Sequence, residues 1–213
     1  MAALDQVRRA QLYGILDLGY VDPEKAVEMT SLMLAGGIQV LQLRAKTQPE
    51  ETITTLGRLI SPLCRAADVP FIINDFPHLV RETGADGTHV GQDDMGVAEA
   101  RRLAGLGALV GKSTHSVAQA LATARERPDY IGFGPLFATP TKPAYLPIGL
   151  ADIREVHSLL DLPIFCIGGI KLENLSTVLT AGASRCVIVS GILQAEDVIG
   201  YCRECLDYLS PVR

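Results

Sequence analysis

A closed (β/α)8 barrel of the TIM type, taking up residues 1–213 as a single domain, is the fold class this sequence predicts, and three observations predict it. Short β-branched apolar runs alternate with longer amphipathic stretches throughout the chain, the pattern of strands joined by crossover helices into a parallel sheet. Eight such runs share 213 residues, roughly 27 per strand-plus-helix unit, which is compact but within that barrel's range. No G-x-G-x-x-G follows the first run, which disfavours the open dinucleotide-binding sheet that eight parallel strands would also allow.

The strand candidates are Leu12 to Asp17, Ile38 to Leu43, Pro70 to Asn74, Gly87 to Val90, Ala108 to Lys112, Tyr130 to Phe133, Ile164 to Ile167 and Cys186 to Val189. Between the first two, Asp22-Pro23-Glu24 opens a helix with an N-cap and a proline at the first helical position, and Gln48-Pro49-Glu50 opens the next similarly. A short helical stretch covers Pro77 to Thr83; longer ones follow at Gly96 to Leu106, Ser116 to Arg127, Leu150 to Leu160, Lys171 to Ala181 and Gln194 to Leu209. Gly36-Gly37, Gly84 to Gly87 and Ala181 to Ala183 read as return loops in which glycine supplies the positive φ of a helix end. Gly134 to Gly149, after the sixth strand, is the longest break and is rich in proline and threonine; loops of that length in compact domains are often functional.

Charge and composition exclude several classes of partner. With 19 basic and 24 acidic residues the net charge is −5, against the basic excess of a general nucleic-acid binder, although local cations and backbone amides still allow phosphate ligands. The balance of 48% apolar and 20% charged residues is that of a globular chain. No uncharged apolar run is long enough to span a membrane. Met1 to Ala10 carries Asp5, Arg8 and Arg9 without an apolar core segment, so it does not read as a secretory signal and a cytoplasmic location is expected. Of five cysteines, Cys64, Cys166 and Cys186 lie in apolar surroundings as reduced core thiols, and the C-x-x-C of Cys202 and Cys205, lacking a second pair or a histidine, reads as a coincidence of one helix face. Homo-oligomerisation is left open.

In such a barrel the active site lies at the carboxyl ends of the strands, and polar residues gather there. Gln42, Arg44 and Lys46 alternate with Leu43 and Ala45, which puts an amide and two cations on one side of an extended segment, suited to a phosphate or diphosphate. Asn74-Asp75 closes the third run and Gly91-Gln92-Asp93-Asp94 follows the fourth. Carboxylates at neighbouring strand ends can share Mg²⁺ with phosphate oxygens, or Asp75 and Asp93 can simply cap helices. Ser113-Thr114-His115 precedes a helix, where hydroxyls and backbone N–H groups can hold an anion, and no triad is indicated. His89, alternating with apolar neighbours, reads as a packed or hydrogen-bonded histidine. Phe137 to Pro143 offers two hydroxyls and a lysine on a stiffened loop able to close on a ligand. Gly168-Gly169-Ile170 and Ser190-Gly191, after the last two strands, suit a second phosphate site built from backbone amides. Two anion sites, one with a metal, imply two small phosphorylated substrates.

Together the segments QLRAK (Gln42 to Lys46), IIND (Ile72 to Asp75), GADGTHVGQDDM (Gly84 to Met95), STH (Ser113 to His115), GFGPLFATPTKP (Gly132 to Pro143), IGGI (Ile167 to Ile170) and VSGI (Val189 to Ile192) resemble the thiamine-phosphate synthase family. The resemblance runs in order from about Leu12 to Ser190. It implies a transferase that joins an aminopyrimidine-methyl diphosphate to a hydroxyethylthiazole phosphate, releasing pyrophosphate. By resemblance, Asp75 and Asp94 hold Mg²⁺, and Arg44, Lys46, Asn74, Ser113 and Lys142 contact the diphosphate. Gln42 then lies against the aminopyrimidine, Thr139 and Thr141 line the thiazole side, and Gly169, Val189 and Ser190 receive its phosphate. The family mechanism is dissociative: the diphosphate leaves first and the thiazole nitrogen captures a pyrimidine-methyl cation. Arg44, Lys46, Ser113 and Lys142 are the residues expected to assist the departure.

The chain departs from the family pattern at Ala45, where glutamate is usual, at Ala138, where proline is usual, at Lys112, where a small or apolar residue is commoner, and at Leu16, where a threonine often stands. A thiazole tautomerase paralogue would carry a histidine at Pro135, and a non-catalytic thiamine-phosphate-binding barrel would be expected to have lost the acids.

Overall fold

The computed structural model describes residues 3–139 and 146–210. Eight parallel strands, β1 (Leu12–Asp17), β2 (Val40–Arg44), β3 (Phe71–Asn74), β4 (Gly87–Val90), β5 (Leu109–Thr114), β6 (Tyr130–Phe133), β7 (Ile164–Cys166) and β8 (Cys186–Ile188), pair in chain order. β8 returns to β1, where Leu12 faces Cys186, so the barrel closes as predicted.

The crossovers are α2 (Ala26–Ala35), α3 (Glu50–Ala66), α4 (Val80–Thr83), α5 (Val97–Ala104), α6 (Val117–Arg125), α7 (Ile153–Leu159) and α8 (Leu172–Thr180), with α10 (Val198–Leu209) closing the ring. Pro23–Lys25 and Pro77–Leu79 form 3-10 turns that lead into α2 and α4. Pro49, at ψ 148°, stands outside α3 as its N-cap, one position later than the Gln48 cap expected from sequence. Gly37, Gly84 and Gly182 adopt φ of 91°, 70° and 111°, as the return loops require.

Two elements were not legible as helices. α1 (Ala3–Arg9) brings Val7, followed by Ala10, into the lumen cluster that includes Tyr13, Val40 and Leu109, while α9 (Ser190–Leu193) is a single turn after β8. Among the described residues no helix is long and apolar enough to cross a membrane. All five cysteines are buried and unpaired, and Cys202 packs where a Cβ on Gly36 would come within 2.6 Å of it, so the C-x-x-C belongs to the packed face of α10.

Strand parity divides the core in two. Tyr13, Ile15, Val40, Ile72, Leu109, Tyr130, Phe165 and Val187 meet inside the barrel, whereas alternate residues such as Leu12, Leu41, Ile73 and Ile131 pack outward under the helices. The buried side chain of Lys112 takes the outward parity of β5. Its Nζ meets both carboxylate oxygens of Glu126 at 3.1 Å, and Glu126 also accepts from the Val97 amide at the start of α5. This departure from the family pattern is therefore compensated by a partner. Against the upward push of burial, the Val97 amide and Lys112 hold the Glu126 carboxyl below its ordinary range.

Candidate active site

The inward parity that builds the lumen also delivers the polar residues above it. Gln42 and Arg44 follow Val40 on β2, Asn74 follows Ile72 on β3, and Ser113 follows Leu109 and Gly111 on β5. Together with Thr139, Gly169, Val189 and Ser190 they line one cavity at the carboxyl ends of the strands. Lys46, Asp75 and Asp94 lie outside that lining. Thr141 and Lys142 fall outside the described residues.

Arg44 is held by an acid at the mouth. Its Nη1 donates to Asp17 Oδ2 at 2.7 Å across the β1–β2 register, and Asp17 Oδ1 accepts from the Gly19 amide at 3.0 Å. Charge neutralisation by Asp17 is thus built into the mouth. Asp75 continues the ladder one step past β3, donating its amide to the His89 carbonyl, and turns out at φ 65°, a left-handed conformation that aspartate tolerates better than most residues. Its carboxylate faces Lys46 Nζ at 3.9 Å. Asp94 Oδ2 accepts from the Gly91 amide at 2.6 Å, which folds the loop after β4 back on itself. Neither Asp75 nor Asp93 caps a helix: Phe76 and Gly96 hold those positions.

The Ser113-Thr114-His115 segment divides. Thr114 donates to the Gly132 carbonyl at 2.8 Å, the His115 amide donates to Gln119 Oε1 at 2.8 Å, and His115 Nδ1 contacts the Gly134 carbonyl. Ser116 caps α6. Ser113 is therefore the hydroxyl of this segment turned toward the cavity, with His89 Nε2 at 2.9 Å from its Oγ.

The long loop after β6 is tied down at both ends. Leu136 and Phe137 donate to the carbonyls of Ile167 and Gly168, and Ile148 donates back to the Pro135 carbonyl at 2.8 Å. Gly168 and Gly169 adopt φ of 99° and 67°, and a Cβ on Gly168 would stand 2.4 Å from Pro135, so these glycines let the loop cross the end of β7.

Sequence reasoning missed Tyr13, Tyr130 and Phe165 as cavity residues and assigned His89 no place there. The two tyrosines and Phe165 pack edge to face or tilted, with ring centroids 5.3 to 5.9 Å apart. Their signal was parity: Tyr13 stands four residues before Asp17, and Tyr130 two before Gly132, on the face that points inward.

A family model described as thiamine monophosphate synthase matches residues 12–192. Thiamine-phosphate synthase of Thermus thermophilus is 45% identical over 175 residues, 82% of this chain and 84% of that relative. The Chloroflexus aurantiacus thiamine-phosphate synthase is 39% identical over 91% of this chain and 90% of its own length. Among solved structures, thiamine phosphate pyrophosphorylase from Pyrococcus furiosus superposes with a TM-score of 0.86 at 29% identity, covering 95% of this chain and 96% of that one. A geranylgeranylglyceryl phosphate synthase from Thermoplasma acidophilum, at 15% identity and a TM-score of 0.72, shares the fold.

Proposed function

The chain belongs to the thiamine monophosphate synthase family, and from that premise we propose how its barrel mouth divides the work between two substrates. The enzyme condenses an aminopyrimidine-methyl diphosphate with a hydroxyethylthiazole phosphate to give thiamine phosphate and pyrophosphate. One observation carries the division of the site: Gln42, Arg44, Asn74 and Ser113 approach the cavity from β2, β3 and β5, and Gly169, Val189 and Ser190 approach it from beyond β7 and β8. The first arc suits the pyrimidine diphosphate, with Gln42 against the aminopyrimidine. The second suits the thiazole phosphate, with Thr139 and Thr141 along the thiazole.

Arg44, Lys46, Ser113 and Lys142 assist the diphosphate as its bond to the methylene carbon breaks, and the thiazole nitrogen then captures the pyrimidine-methyl cation. Such chemistry needs electrostatic help for the leaving group and tight positioning rather than a protein nucleophile.

Asp75 and Asp94 fit Mg²⁺ by their donor chemistry. They are carboxylates on loops after neighbouring strands, Asp75 with Lys46 Nζ at 3.9 Å, and among the described residues no group of three or more His, Cys, Asp or Glu side chains forms a protein cage. That is the ligand set of an ion that keeps phosphate and water oxygens. When bound, the ion supplies positive charge to the departing diphosphate. Pro135, at the position of the paralogue's histidine, favours the synthase over the tautomerase. We place the enzyme in the cytoplasm, a compartment that suits five unpaired cysteines.

The test mixes both phosphorylated substrates with Mg²⁺ and the folded protein. Thiamine phosphate and pyrophosphate are expected in equal amounts; no product from protein shown to bind either substrate overturns the reading. Asp94→Ala is expected to cut turnover far more than thiazole-phosphate affinity, and equal losses would misplace the metal.

A further inference from the structure

A chain of hydrogen bonds runs through the lining of the cavity itself, from Gln42 to Ser113. Gln42 Nε2 lies 2.7 Å from Tyr13 Oη, Tyr13 Oη lies 3.0 Å from Tyr130 Oη, Tyr130 Oη lies 3.3 Å from His89 Nδ1, and His89 Nε2 lies 2.9 Å from Ser113 Oγ. It joins β2, β1, β6, β4 and β5 and begins and ends on two residues assigned to the pyrimidine diphosphate. Both phenols are 1% exposed, and burial pushes both above their ordinary range, so each keeps its single proton.

Proton counting gives this chain a direction. An amide nitrogen only donates, so Tyr13 Oη accepts from Gln42 and its own proton passes to Tyr130 Oη. Tyr130 then has one proton, and His89 Nδ1 is the next atom in line to receive it. A neutral imidazole with a bare Nδ1 carries its hydrogen on Nε2, which donates to Ser113 Oγ. The hydroxyl proton of Ser113 is thereby left to point into the cavity, toward a ligand acceptor. Turning the Gln42 amide over would reverse every bond and make Ser113 donate to His89 instead.

We propose that Tyr13, Tyr130 and His89 are positioning residues that transmit the orientation of the Gln42 amide to the Ser113 hydroxyl, so that a ring amino group at Gln42 and a hydrogen-bond acceptor at Ser113 are recognised together. This rests on the assignment of Gln42 to the aminopyrimidine. A donor on the ligand ring meets the Gln42 amide oxygen, keeps Nε2 on Tyr13 and holds the Ser113 proton outward. A ring without that donor leaves the amide free to turn and loses the Ser113 interaction as well.

The tautomer of His89 tests the direction without any activity measurement. Long-range ¹H–¹⁵N spectra at about pH 8, above the ordinary imidazole range, with the signal assigned by its loss in His89→Gln, are expected to show a protonated Nε2 and a bare Nδ1. A protonated Nδ1 overturns the proposal. Tyr130→Phe breaks the chain at its middle and is expected to bring the two His89 nitrogen shifts together and lower kcat about tenfold, the loss of one hydrogen bond, with KM for the thiazole phosphate within about twofold. An unchanged tautomer with unchanged kcat overturns the proposal. Should that variant not fold, Tyr13→Phe removes the preceding link and the wild-type spectrum still decides the direction. The expected tautomer in a protein that forms no thiamine phosphate would refute the functional reading and leave the chain standing.

Discussion

Replacing Asp17 by alanine isolates the charge that holds Arg44 in the mouth. Asp17 is 2% exposed and the Arg44 side chain 13%, with the carboxylate and guanidinium 2.7 Å apart. Removing one partner of a buried pair costs about 3–5 kcal/mol, because the other charge stays behind without compensation. The pair opens on the cavity, where water reaches Arg44, so the lower end, about 3 kcal/mol, applies to the ion pair. The Gly19 amide, which donates to Asp17 at 3.0 Å, adds about 1 kcal/mol when its acceptor goes. At about 2–4 °C per kcal/mol for a chain of this size, Asp17→Ala should melt roughly 8–16 °C lower. The chain has no tryptophan, so unfolding is followed by far-UV circular dichroism. Pyrophosphate at a fixed concentration of about 100 times the wild-type Kd stabilises wild type by about 2.7 kcal/mol, and at that same concentration it should stabilise Asp17→Ala more, by tighter binding, since Arg44 is no longer shared. A melting temperature within about 2 °C of wild type, or equal stabilisation by pyrophosphate, would refute the argument.

Three further outcomes follow from the packing and the buried groups. Gly111→Ala would put a Cβ 2.1 Å from the Tyr130 ring, an overpacking cost of about 1–3 kcal/mol that urea unfolding should resolve; a variant as stable as wild type would mean that the ring has room to move. Burial pushes the thiols of Cys64, Cys166, Cys202 and Cys205 up to about 12 and raises Cys186 as well, so iodoacetamide at about pH 8 should label none in the native protein. All five should label in denaturant, and a fast native adduct seen by mass spectrometry would contradict the burial. His157 is held below the ordinary imidazole range, first by burial and further by Arg185, against the opposing pull of the Ile153 carbonyl. Its depressed value means that the unfolded chain takes up the proton first, so its contribution to stability is full above about pH 6.5 and falls as the pH drops below that. His157→Gln should therefore lose less stability than wild type between about pH 7.5 and about pH 5.5; parallel losses in urea titrations would reject the assignment.

Much of the site was legible because a barrel strand's end is a local property. Gln42, Arg44, Asn74 and Ser113 each sit at or near the end of a short apolar run, so locating the run locates the residue on the mouth. Lys46 and Asp94 were placed by the same rule and lie outside the cavity lining, because each is beyond its strand, on backbone whose course depends on loop contacts such as Gly91 to Asp94. The N-terminal helix was not legible as one: Ala3 to Arg9 is short, and Val7 gains its meaning only from the open lower end of the lumen that it meets.

The sequence by itself determined the closed barrel, the family and the polar composition of the mouth, because strand period, turn residues and contiguous motifs act over a few residues. Only the tertiary structure decided that Asp17 neutralises Arg44, that Lys112 is matched by Glu126, and that Gln42 reaches Ser113 through two tyrosines and a histidine. Tyr13 and Tyr130 are 117 positions apart. Partners inside a barrel are chosen by which strands face one another across the lumen, and closure of the sheet, rather than any local pattern, brings those side chains together.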